Sequence, residues 1–572
     1  MPDKKYDAVI VGGGHHATII GCYLQKAGLK TAMFERWHEM GGGACGEELP
    51  LPGFIMNPCA QWTRFYSHPI YDEFKLRDYG LVYTFPEYNE AWVFPNGRYI
   101  LGKAVYAVTD HLTGKQEYSE KNAKDLIEQF GQFDKRDAEV TEWVMERYDA
   151  KWKTAFGKFR FSGPEDWGDG PDQLNALLAD DPRLAKLADM TIGEQAVELF
   201  KSPEMQTFYM RCHMTSTGLY PAQKCGLMWL VHVLGLMMSL EPAAVAIGGT
   251  HSISHALLRA FQDVGGEFFV MHEVEKVLVE NGTAKGIRLS NGTEIAADLV
   301  VSDLNINQTL DMIGKENVPG DIWDSVAKYR KKPTEMNDLD SGYERTTVFW
   351  GALAMMEPPK FTCHKDMHLV PRLYFGPECA EYLLSNQYQK EIWETGMASK
   401  VMLAIASADH AYDKTRTPPG RYTNMIEEYC APWWFWPERK WLSMNKIVSQ
   451  RWLKEWEKYA PNMNMDNLIE AYITTPDHVV NRNTCDEGGG WGGLDCDGHR
   501  WGRARPIMEL NNYQMPVKNY YLCSSTAHSG HGIGRGSSYN CFRKIAKDLG
   551  LSYQPAGRSM VGSKDAQMQG AR

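Results

Sequence analysis

The sequence lacks a long apolar run. A membrane-spanning helix needs about 20 consecutive apolar residues, whereas the longest apolar stretch here, Gly226 to Leu240, is interrupted by His232 and followed by Glu241. We therefore predict a buried helix or a tunnel wall at this point rather than a membrane-dipping segment. The first predicted strand begins at Tyr6, so we expect no secretory or transit peptide and a cytoplasmic location. A peripheral contact with a membrane is left open.

The chain also lacks an excess of positive charge. Its 572 residues carry 61 Lys and Arg against 72 Asp and Glu, which gives a net charge of −11. Nucleic acid binding needs a basic field opposite the phosphates, so we expect no nucleic acid partner. The length predicts two or three domains. The sequence does not decide between a homo-oligomer and a monomer.

Several signatures of catalysis and metal binding are missing. The 12 cysteines form no C-x-x-C pair, and we expect reduced thiols. The pairs His251 and His255, and His364 and His368, have i,i+4 spacing but lack the H-E-x-x-H pattern and a third ligand, so we predict no metal site. There is no G-x-S-x-G elbow. A second G-x-G-x-x-G placed directly between a predicted strand and a predicted helix is absent too, which argues against a tightly bound NAD(P).

The start of the chain carries the strongest pattern. It consists of an apolar strand (Tyr6 to Val11), a G-x-G-x-x-A turn (Gly12, Gly14 and Ala17), a helix (Thr18 to Ala27) and a second strand (Leu29 to Glu35). A short apolar run before glycines is typical of a buried parallel strand. This order of elements predicts a dinucleotide site. The alternative is a glycine-rich turn without a ligand.

Each motif residue has a physical task in such a site. Gly12 permits the tight turn from strand to helix, and Gly14 lets the backbone approach a pyrophosphate. Ala17 allows close packing of helix on strand, while the helix N-terminus offers amide groups to the phosphates. Glu35, at the end of the second strand, can accept hydrogen bonds from a ribose hydroxyl.

A second glycine cluster decides which dinucleotide is expected. Glu35 and Arg36 are followed by Gly41, Gly42 and Gly43. This arrangement resembles the FAD-binding proteins of the glutathione-reductase type, in particular the branch of phytoene desaturases and amine oxidases. The resemblance implies FAD as cofactor, with the second glycine cluster close to its diphosphate. It also implies that His16, where this family usually has Asn, is a neighbour of the pyrophosphate.

A central segment extends the resemblance. Gly248-Gly249-Thr250 precedes a predicted helix from His251 to Val264, and predicted strands follow up to Val301. The segment looks like the part of phytoene desaturases in which one strand packs its backbone on the FAD adenine. Val274 falls at that position. The alternative is a β-rich domain without cofactor contact.

A third segment, Met515 to Gly534, resembles the C-terminal flavin segment of the same family. The resemblance implies that Ser525 and the glycines near the end of this segment bring the backbone close to the isoalloxazine. Backbone amides at Gly532 and Ile533 would stabilise negative charge on the reduced flavin.

Two histidines of this segment are candidate catalytic bases, because imidazole exchanges protons near neutral pH. His528 matches a histidine of the family, for which a structural flavin contact is the alternative. His531 departs from the family pattern and is our candidate for a residue specific to this chain's chemistry.

The resemblance implies an α/β fold with a discontinuous, Rossmann-type FAD-binding domain, made of a parallel sheet with a β-meander, and an α+β substrate domain. We expect the FAD-binding domain to comprise residues 1–90, 241–304 and 476–572. The substrate domain is expected to comprise residues 91–240 and 305–475.

The second half of the predicted substrate domain is rich in aromatic residues, among them Trp441, Trp452 and Trp456. Trp452 and Trp456 are four residues apart and share a helix face. Two interpretations are open: core packing, or a wall for a bulky apolar substrate or a membrane-contacting surface.

The resemblance implies an FAD-dependent oxidoreductase that desaturates a C–C bond of a hydrophobic terpenoid, polyene or aromatic molecule by hydride transfer to flavin N5. A redox-neutral double-bond isomerase or hydratase on the same scaffold is the first alternative, a non-enzymatic FAD-binding subunit the second, and an oxidase acting on amines is also open. Oxygen, a quinone or an electron carrier could each accept the electrons. The sequence does not identify the substrate.

Overall fold

The structure is a computed structural model that describes residues 4–110, 114–167, 173–330, 332, 347–483, 488–490, 492–496, 500–530 and 532–555. Its strands are β1 Lys5–Val11, β2 Thr31–Phe34, β3 Glu47–Glu48, β4 Ile55–Met56, β5 Tyr83–Thr84, β6 Tyr88–Val93, β7 Tyr99–Lys103, β8 Tyr106–Asp110, β9 Lys115–Tyr118, β10 Val245–Ala246, β11 Glu267–Phe269, β12 Val274–Glu280, β13 Thr283–Leu289, β14 Glu294–Ser302, β15 Thr347–Met355, β16 Arg372–Phe375, β17 Ala404–Ser407, β18 Tyr422–Cys430, β19 Leu468–Thr474 and β20 Tyr520–Leu522.

Its helices are α1 His15–Lys26, α2 Pro69–Glu73, α3 Glu120–Gly131, α4 Lys135–Arg147, α5 Lys153–Arg160, α6 Gln173–Leu178, α7 Pro182–Leu187, α8 Ile192–Leu199, α9 Pro203–Thr217, α10 Leu227–Met237, α11 His251–Asp263, α12 Ile306–Asp311, α13 Gly320–Ala327, α14 Ala380–Leu384, α15 Gln387–Thr395, α16 Glu438–Trp456, α17 Pro476–Arg482 and α18 Ser537–Leu549. The first helix begins earlier than the predicted start at Thr18, because its first turn is formed by the histidines that follow the glycine turn.

The first sheet has the strand order β11-β2-β1-β14-β13-β12, and β20 also pairs with β14. The pairs β11–β2, β2–β1, β1–β14 and β14–β20 are parallel, whereas β12, β13 and β14 form an antiparallel meander. Strand β14 serves both parts, since Ala296 pairs with Gly286 of β13 and Val300 pairs with Tyr520 of β20. The predicted Rossmann-type parallel sheet with a β-meander is therefore confirmed.

Helix α1 packs closely on this sheet and on α11. A Cβ atom added to Gly21 would lie 3.1–3.4 Å from the side chains of Phe261, Ile10 and Met33. The strand below is buried on both faces, with Val9 and Ile10 fully inaccessible. Small residues in the helix and a continuous apolar strand thus explain why this unit forms.

The second sheet has the order β19-β15-β18-β17-β16-β6-β7 and is antiparallel except for the pair β16–β6. Helix α16 covers one face through Trp441, Trp452 and Trp456, which lie in the core. Helices α9 and α10 lie on the other face, where Trp92 of β6 stacks on Tyr374 of β16 at 5.5 Å. Alternate residues of each strand therefore face two different apolar layers.

Helix α10 fills the centre of the helical layer, and all its residues are buried. This confirms the prediction of a buried helix at this point. Among the described residues, no helix combines the length and the apolar character needed to span a bilayer.

Candidate functional site

A cavity of about 490 Å³ opens at the carboxyl ends of the parallel strands. Val11 at the end of β1, Phe34 at the end of β2 and Asp303 just after β14 line it. Ligands of open α/β sheets bind at this edge, because strand ends and helix N-termini meet there. The cavity is therefore the candidate functional site.

Two glycine turns form the floor of the cavity. Gly12 has φ +95°, a conformation that favours glycine, and its amide donates to the Phe34 carbonyl at 2.9 Å. The amide of Gly41 donates to the carbonyl of Gly13 at 2.7 Å. A Cβ atom on Gly42 would lie 3.3 Å from the Cα of Gly14. The two glycine clusters of the sequence therefore pack directly on each other.

Glu35 is held in a defined orientation at the end of β2. Its Oε2 accepts a hydrogen bond from the Gly13 amide at 2.8 Å, and its Oε1 accepts one from the Trp37 amide at 2.7 Å. A carboxylate has about four lone-pair sites, so each oxygen keeps one for a ligand hydroxyl. Arg36 and Trp37 continue the wall of the cavity beside it.

Asp303 is a functional-site residue that sequence reasoning missed. Its Oδ2 accepts a hydrogen bond from the Ala17 amide at 3.1 Å, at the N-terminus of α1. Burial, opposed by hydrogen bonds from the backbone amides of Ala17 and Gly14 and aided by the charge of Glu35, raises the pKa of Asp303 to about 7. The sequence signal that could have indicated it is an acid shortly after the predicted strand that ends at Val301.

Two imidazoles stand at the first turn of α1. The rings of His15 and His16 are 4.1 Å apart, and both residues line the cavity. Burial lowers the pKa of His15 to about 4 and that of His16 well below its ordinary value. Both rings are therefore neutral at pH 7. Within the described part of the chain, the Nε2 atoms of both rings are buried without a hydrogen-bond partner.

The closing segment of the chain, Met515 to Arg535, contributes residues to the other end of the cavity. Ser525, Gly532 and Ile533 line it there, and Gly532 has φ +102°. Val274, at the start of β12, lines the cavity as well. Residues more than 500 positions apart in the sequence thus share one cavity, because β20 and β1 both pair with β14.

Most predicted cofactor residues line the cavity. These are Gly12, Gly14, His16, Glu35, Arg36, Gly42, Gly43, Val274, Ser525, Gly532 and Ile533. Ala17 and Gly41 lie behind the lining, where Ala17 holds Asp303 and Gly41 supports the first glycine turn. Among the residues that sequence reasoning missed, Arg482 at the end of α17 also lines the cavity, and its guanidinium forms an ion pair with Glu47.

The two candidate bases have different outcomes. His531 lies outside the described residues. His528 is fully buried, its Nε2 donates to the Phe159 carbonyl at 2.9 Å, and its ring stands edge-on to Phe159 and Trp167. Burial lowers its pKa to about 3. Of the described residues, those that line the cavity do not include His528. This environment favours a structural role over that of a base.

The residues present fit FAD. The cavity joins a carboxylate suited to a ribose, imidazole nitrogens that have no partner among the described residues, and the positive end of α1 with a backbone segment at its far end. A Cβ atom on Gly14 would overlap the Asp303 carboxylate, so the loop leaves no room for a larger residue there. A long ligand with hydroxyls and phosphates at one end matches this distribution.

Comparison with known proteins gives similarities along almost the whole chain. The chain is 24% identical to the mouse (Mus musculus) pyridine nucleotide-disulfide oxidoreductase domain-containing protein 2, over 95% of this chain and 94% of that protein. It is 23% identical to a subunit of limonene dehydrogenase from Castellaniella defragrans, over 96% of both. It is 21% identical to the lycopene-forming phytoene desaturase of a Paracoccus species, over 92% and 94% respectively. No family model matches the chain.

A shorter similarity is to the chloroplastic prolycopene isomerase of Daucus carota, 28% identical over 53% of this chain and 44% of that protein. Among solved structures, an oxidoreductase from Methanosarcina mazei has a TM-score of 0.56 at 15% identity and covers 95% of this chain and 100% of that chain. Cyclohexylamine oxidase from Brevibacterium oxydans has a TM-score of 0.54 at 14% identity, with 96% and 100% covered. The structures share the fold.

Together the relatives and the fold confirm the resemblance that the sequence motifs indicated. Along almost its whole length the chain is similar to oxidoreductases that include a phytoene desaturase, and it is an enzyme of the oxidoreductase class. It shares the fold of the solved amine oxidase.

Proposed function

We propose that this chain binds FAD in the cavity at the carboxyl ends of its parallel strands and dehydrogenates a C–C bond of a hydrophobic small molecule. One observation carries the proposal: a single cavity joins Glu35 and the glycine turns at one end to Gly532 and Ile533 at the other. Such a span suits an elongated dinucleotide whose reactive ring lies far from its ribose and phosphates.

The residues of the cavity would divide the work of holding the cofactor. Glu35 would accept hydrogen bonds from a ribose hydroxyl, while the first turn of α1 and Arg482 would face the phosphates. His15 and His16 are neutral and, within the described chain, have unpartnered Nε2 atoms, so they would serve as hydrogen-bonding groups rather than as charges. FAD, when bound, supplies a ring nitrogen, N5, that can accept a hydride.

The surroundings of the closing segment support an apolar or aromatic substrate. A Cβ atom on Gly530 would overlap the indole of Trp501, and that ring lies 4.7 Å from the ring of Trp229. Phe159 also stacks on Trp501, at 5.2 Å. Aromatic walls orient flat or extended hydrocarbons and exclude water from the reacting atoms. The names of two relatives, one from a limonene dehydrogenase and one a phytoene desaturase, agree with such a substrate.

The test is flavin reduction by substrate without oxygen. The purified protein should show the absorbance of bound oxidised flavin, and anaerobic mixing with a substrate should bleach it in proportion to the dehydrogenated product. Monocyclic terpenes, acyclic polyenes and hydroaromatic compounds would be the candidate series. Product formation without any bleaching would contradict hydride transfer to flavin.

The Gly14→Ala variant tests whether the reaction depends on bound flavin, because the added Cβ overlaps the Asp303 carboxylate at the turn proposed to face the phosphates. It should lose flavin and activity together while it keeps the fold. An active Gly14→Ala variant without flavin would show that the reaction does not use this cofactor.

A redox-neutral double-bond isomerisation is the second candidate, and the similarity to prolycopene isomerase favours it. The same experiment separates the two reactions. An isomerase should need reduced flavin for activity but should consume no reductant in proportion to product, whereas a dehydrogenase consumes an electron acceptor.

A further inference from the structure

Arg535 follows Gly532 and Ile533, which line the far end of the cavity. The side chain passes beside Gly532, whose added Cβ would lie 3.8 Å from Cγ and 4.0 Å from Nε of Arg535. Its guanidinium lies 4.8 Å from the ring of Trp229 on α10 and 5.2 Å from the ring of Phe156 on α5. Arg535 is half-buried and Gly532 is exposed. The Arg535 guanidinium therefore contacts two aromatic rings next to the far end of the cavity.

The side chain in polar contact with the Arg535 guanidinium, that of His232, carries no negative charge. Arg535 Nη2 lies 3.5 Å from Nε2 of His232, whose ring stacks on Phe156 at 4.5 Å. Burial lowers the pKa of His232 to about 4, so this imidazole is neutral at pH 7. Among the described residues, Arg535 forms no ion pair with a carboxylate.

The one carboxylate of this described cluster is already occupied. Glu241 Oε2 lies 3.2 Å from Nε of Arg64, and its Oε1 accepts a hydrogen bond from the Tyr148 hydroxyl at 3.0 Å. The Nδ1 of His232 lies 3.4 Å from the same Oε1. Glu241 therefore forms its direct arginine ion pair with Arg64, while its charge acts on Arg160 and Arg535 without such a contact.

A second arginine of the cluster is bound to uncharged oxygens. Arg160 donates from Nη2 to the carbonyl of Gly534 and to the hydroxyl of Ser67, the latter at 3.2 Å. The described cluster thus holds three guanidinium groups, those of Arg64, Arg160 and Arg535, and one carboxylate, that of Glu241. Burial, together with the charge of Arg160, lowers the pKa of Arg535. Removing uncompensated charges from water is costly unless an anion joins them.

We propose that Arg535, assisted by Arg160, binds the carboxylate of the substrate, whose remaining body is apolar and rests on the rings of Phe156 and Trp229. This inference rests on the proposed function and narrows its substrate to an amphipathic carboxylic acid. A guanidinium presents a planar fork that matches a carboxylate, and aromatic faces can support guanidinium and hydrocarbon alike. A pure hydrocarbon would leave the two arginines uncompensated.

We assign the anion that Arg535 would bind to the substrate rather than to the cofactor, because of the position of the two rings that contact Arg535. Phe156 and Trp229 both lie in the apolar layer of helices that covers the second sheet, away from the phosphate turn at α1. Arg535 is held against that layer. The phosphates would instead face Arg482 and the first turn of α1.

The test measures binding to the FAD-loaded protein by calorimetry at pH 7.5. The probes are octanoate, octanamide and octylamine, which share one apolar chain and differ in charge, with acetate as a carboxylate without a chain. Octanoate should bind at least tenfold more tightly than octanamide and than acetate, and octylamine should bind most weakly. Equal affinity for octanoate and octanamide, or no binding of either, would overturn the proposal. Acetate as tight as octanoate would reduce the site to an anion site and overturn the substrate assignment.

Variants then assign the preference to Arg535. Arg535→Met should abolish the preference for octanoate over octanamide, and Arg535→Lys should keep part of it. The control is Arg288→Met, which removes an arginine paired with Glu275 at the surface of β13. A preference that survives in a folded, flavin-containing Arg535→Met protein contradicts the proposal. The comparison of probes on the unaltered protein decides the matter if that variant does not fold.

The two proposals fail in different ways. A protein that takes up no FAD refutes the proposed function, whatever the probes do. A protein that takes up FAD and is reduced by a neutral hydrocarbon, yet shows no preference for octanoate, keeps its proposed function and refutes the carboxylate site.

Discussion

The carboxylate of Asp303 lies against the N-terminus of α1, where its Oδ2 accepts a hydrogen bond from the amide of Ala17 at 3.1 Å. A Cβ atom on Gly14 would overlap that same oxygen. The arrangement places an acidic side chain at the helix end that would face the phosphates of FAD. We therefore expect the protonation of Asp303 and the binding of phosphates to be coupled.

We expect the affinity for FAD to fall as pH rises above about 7. The pKa of Asp303 is raised to about 7 in the free protein, and two phosphate charges nearby would raise it further, so FAD binds preferentially to the protonated form. Linkage of one proton predicts a loss of affinity on the order of tenfold per pH unit above this pKa. Fluorescence titration with FAD between pH 6 and 9, taken as roughly the window set by that pKa, measures the slope.

The Asp303→Asn variant provides the control for this coupling. The amide cannot ionise, so the slope above pH 7 should disappear and FAD should bind more tightly at pH 8 than to the unaltered protein. A slope that persists in Asp303→Asn would assign the pH dependence to another group.

Replacing Glu35 by Gln should weaken FAD binding. The change removes a charge that accepts hydrogen bonds from the amides of Gly13 and Trp37 and from the expected ribose hydroxyl. Hydrogen bonds to charged groups contribute about 1.5–3 kcal/mol, so the Kd should rise roughly 10- to 100-fold. Equilibrium dialysis of FAD checks this.

The matched control for Glu35 is Glu294→Gln, because Glu294 is an exposed residue at the start of β14 and does not line the cavity. Its Kd for FAD should stay unchanged. Equal effects of the two substitutions would mean that net charge, and not the position of Glu35, governs binding.

Truncation of Trp452 should strongly destabilise the second sheet and its helix. The indole is fully buried, its Nε1 donates to Oε2 of Glu428 at 2.9 Å, and it fills the space above Gly351. Trp452→Ala should lower the free energy of unfolding by about 3–5 kcal/mol. Denaturant unfolding followed by tryptophan fluorescence and circular dichroism measures the change.

Leu442→Ala on the same helix is the control, since Leu442 is 71% exposed. Its effect should stay within about 0.5 kcal/mol. A small effect of Trp452→Ala would mean that the site collapses around the missing ring and that α16 contributes little to the core.

His528 should make the fold sensitive to acid rather than set the pH profile of the reaction. Its pKa is lowered from 6.5 to about 3 in the folded state, so the unfolded chain takes up a proton that the folded chain does not. The stability contributed by the neutral ring is complete above pH 6.5 and is lost as pH falls toward 3. Each such proton changes the slope of stability against pH by about 1.4 kcal/mol per unit.

His528→Gln should therefore reduce that slope by one proton between pH 6 and 4, a window lying roughly within the shift, even if the variant is less stable overall. Urea unfolding at a series of pH values checks it. If instead the variant keeps the slope but loses a bell-shaped limb in the pH dependence of kcat, then His528 acts as a base after all.

The local parts of the site could be predicted from the sequence. The strand, glycine turn, helix and second strand before Glu35 follow from apolar runs and glycine spacing within one short stretch. Val274 and the segment around Gly532 were found by resemblance, and both line the cavity. The helix containing Trp452 was also expected, over Gln450 to Tyr459. Helix α16 begins earlier, at Glu438, since Trp441 and Met444 extend its buried face.

The sequence by itself determined the local unit that we propose binds the cofactor, because a strand, two glycine turns and an acid that contact one another lie within a few dozen residues. Only the tertiary structure decided which distant groups join them. Ala17 and Asp303 are separated by 286 positions and His232 and Arg535 by 303, yet each pair is in hydrogen-bond contact. No local sequence pattern predicts a contact between residues so far apart in the chain. The pairing of β14 with β1 brings Asp303 to Ala17, and the contact of Arg535 with α10 brings Arg535 to His232.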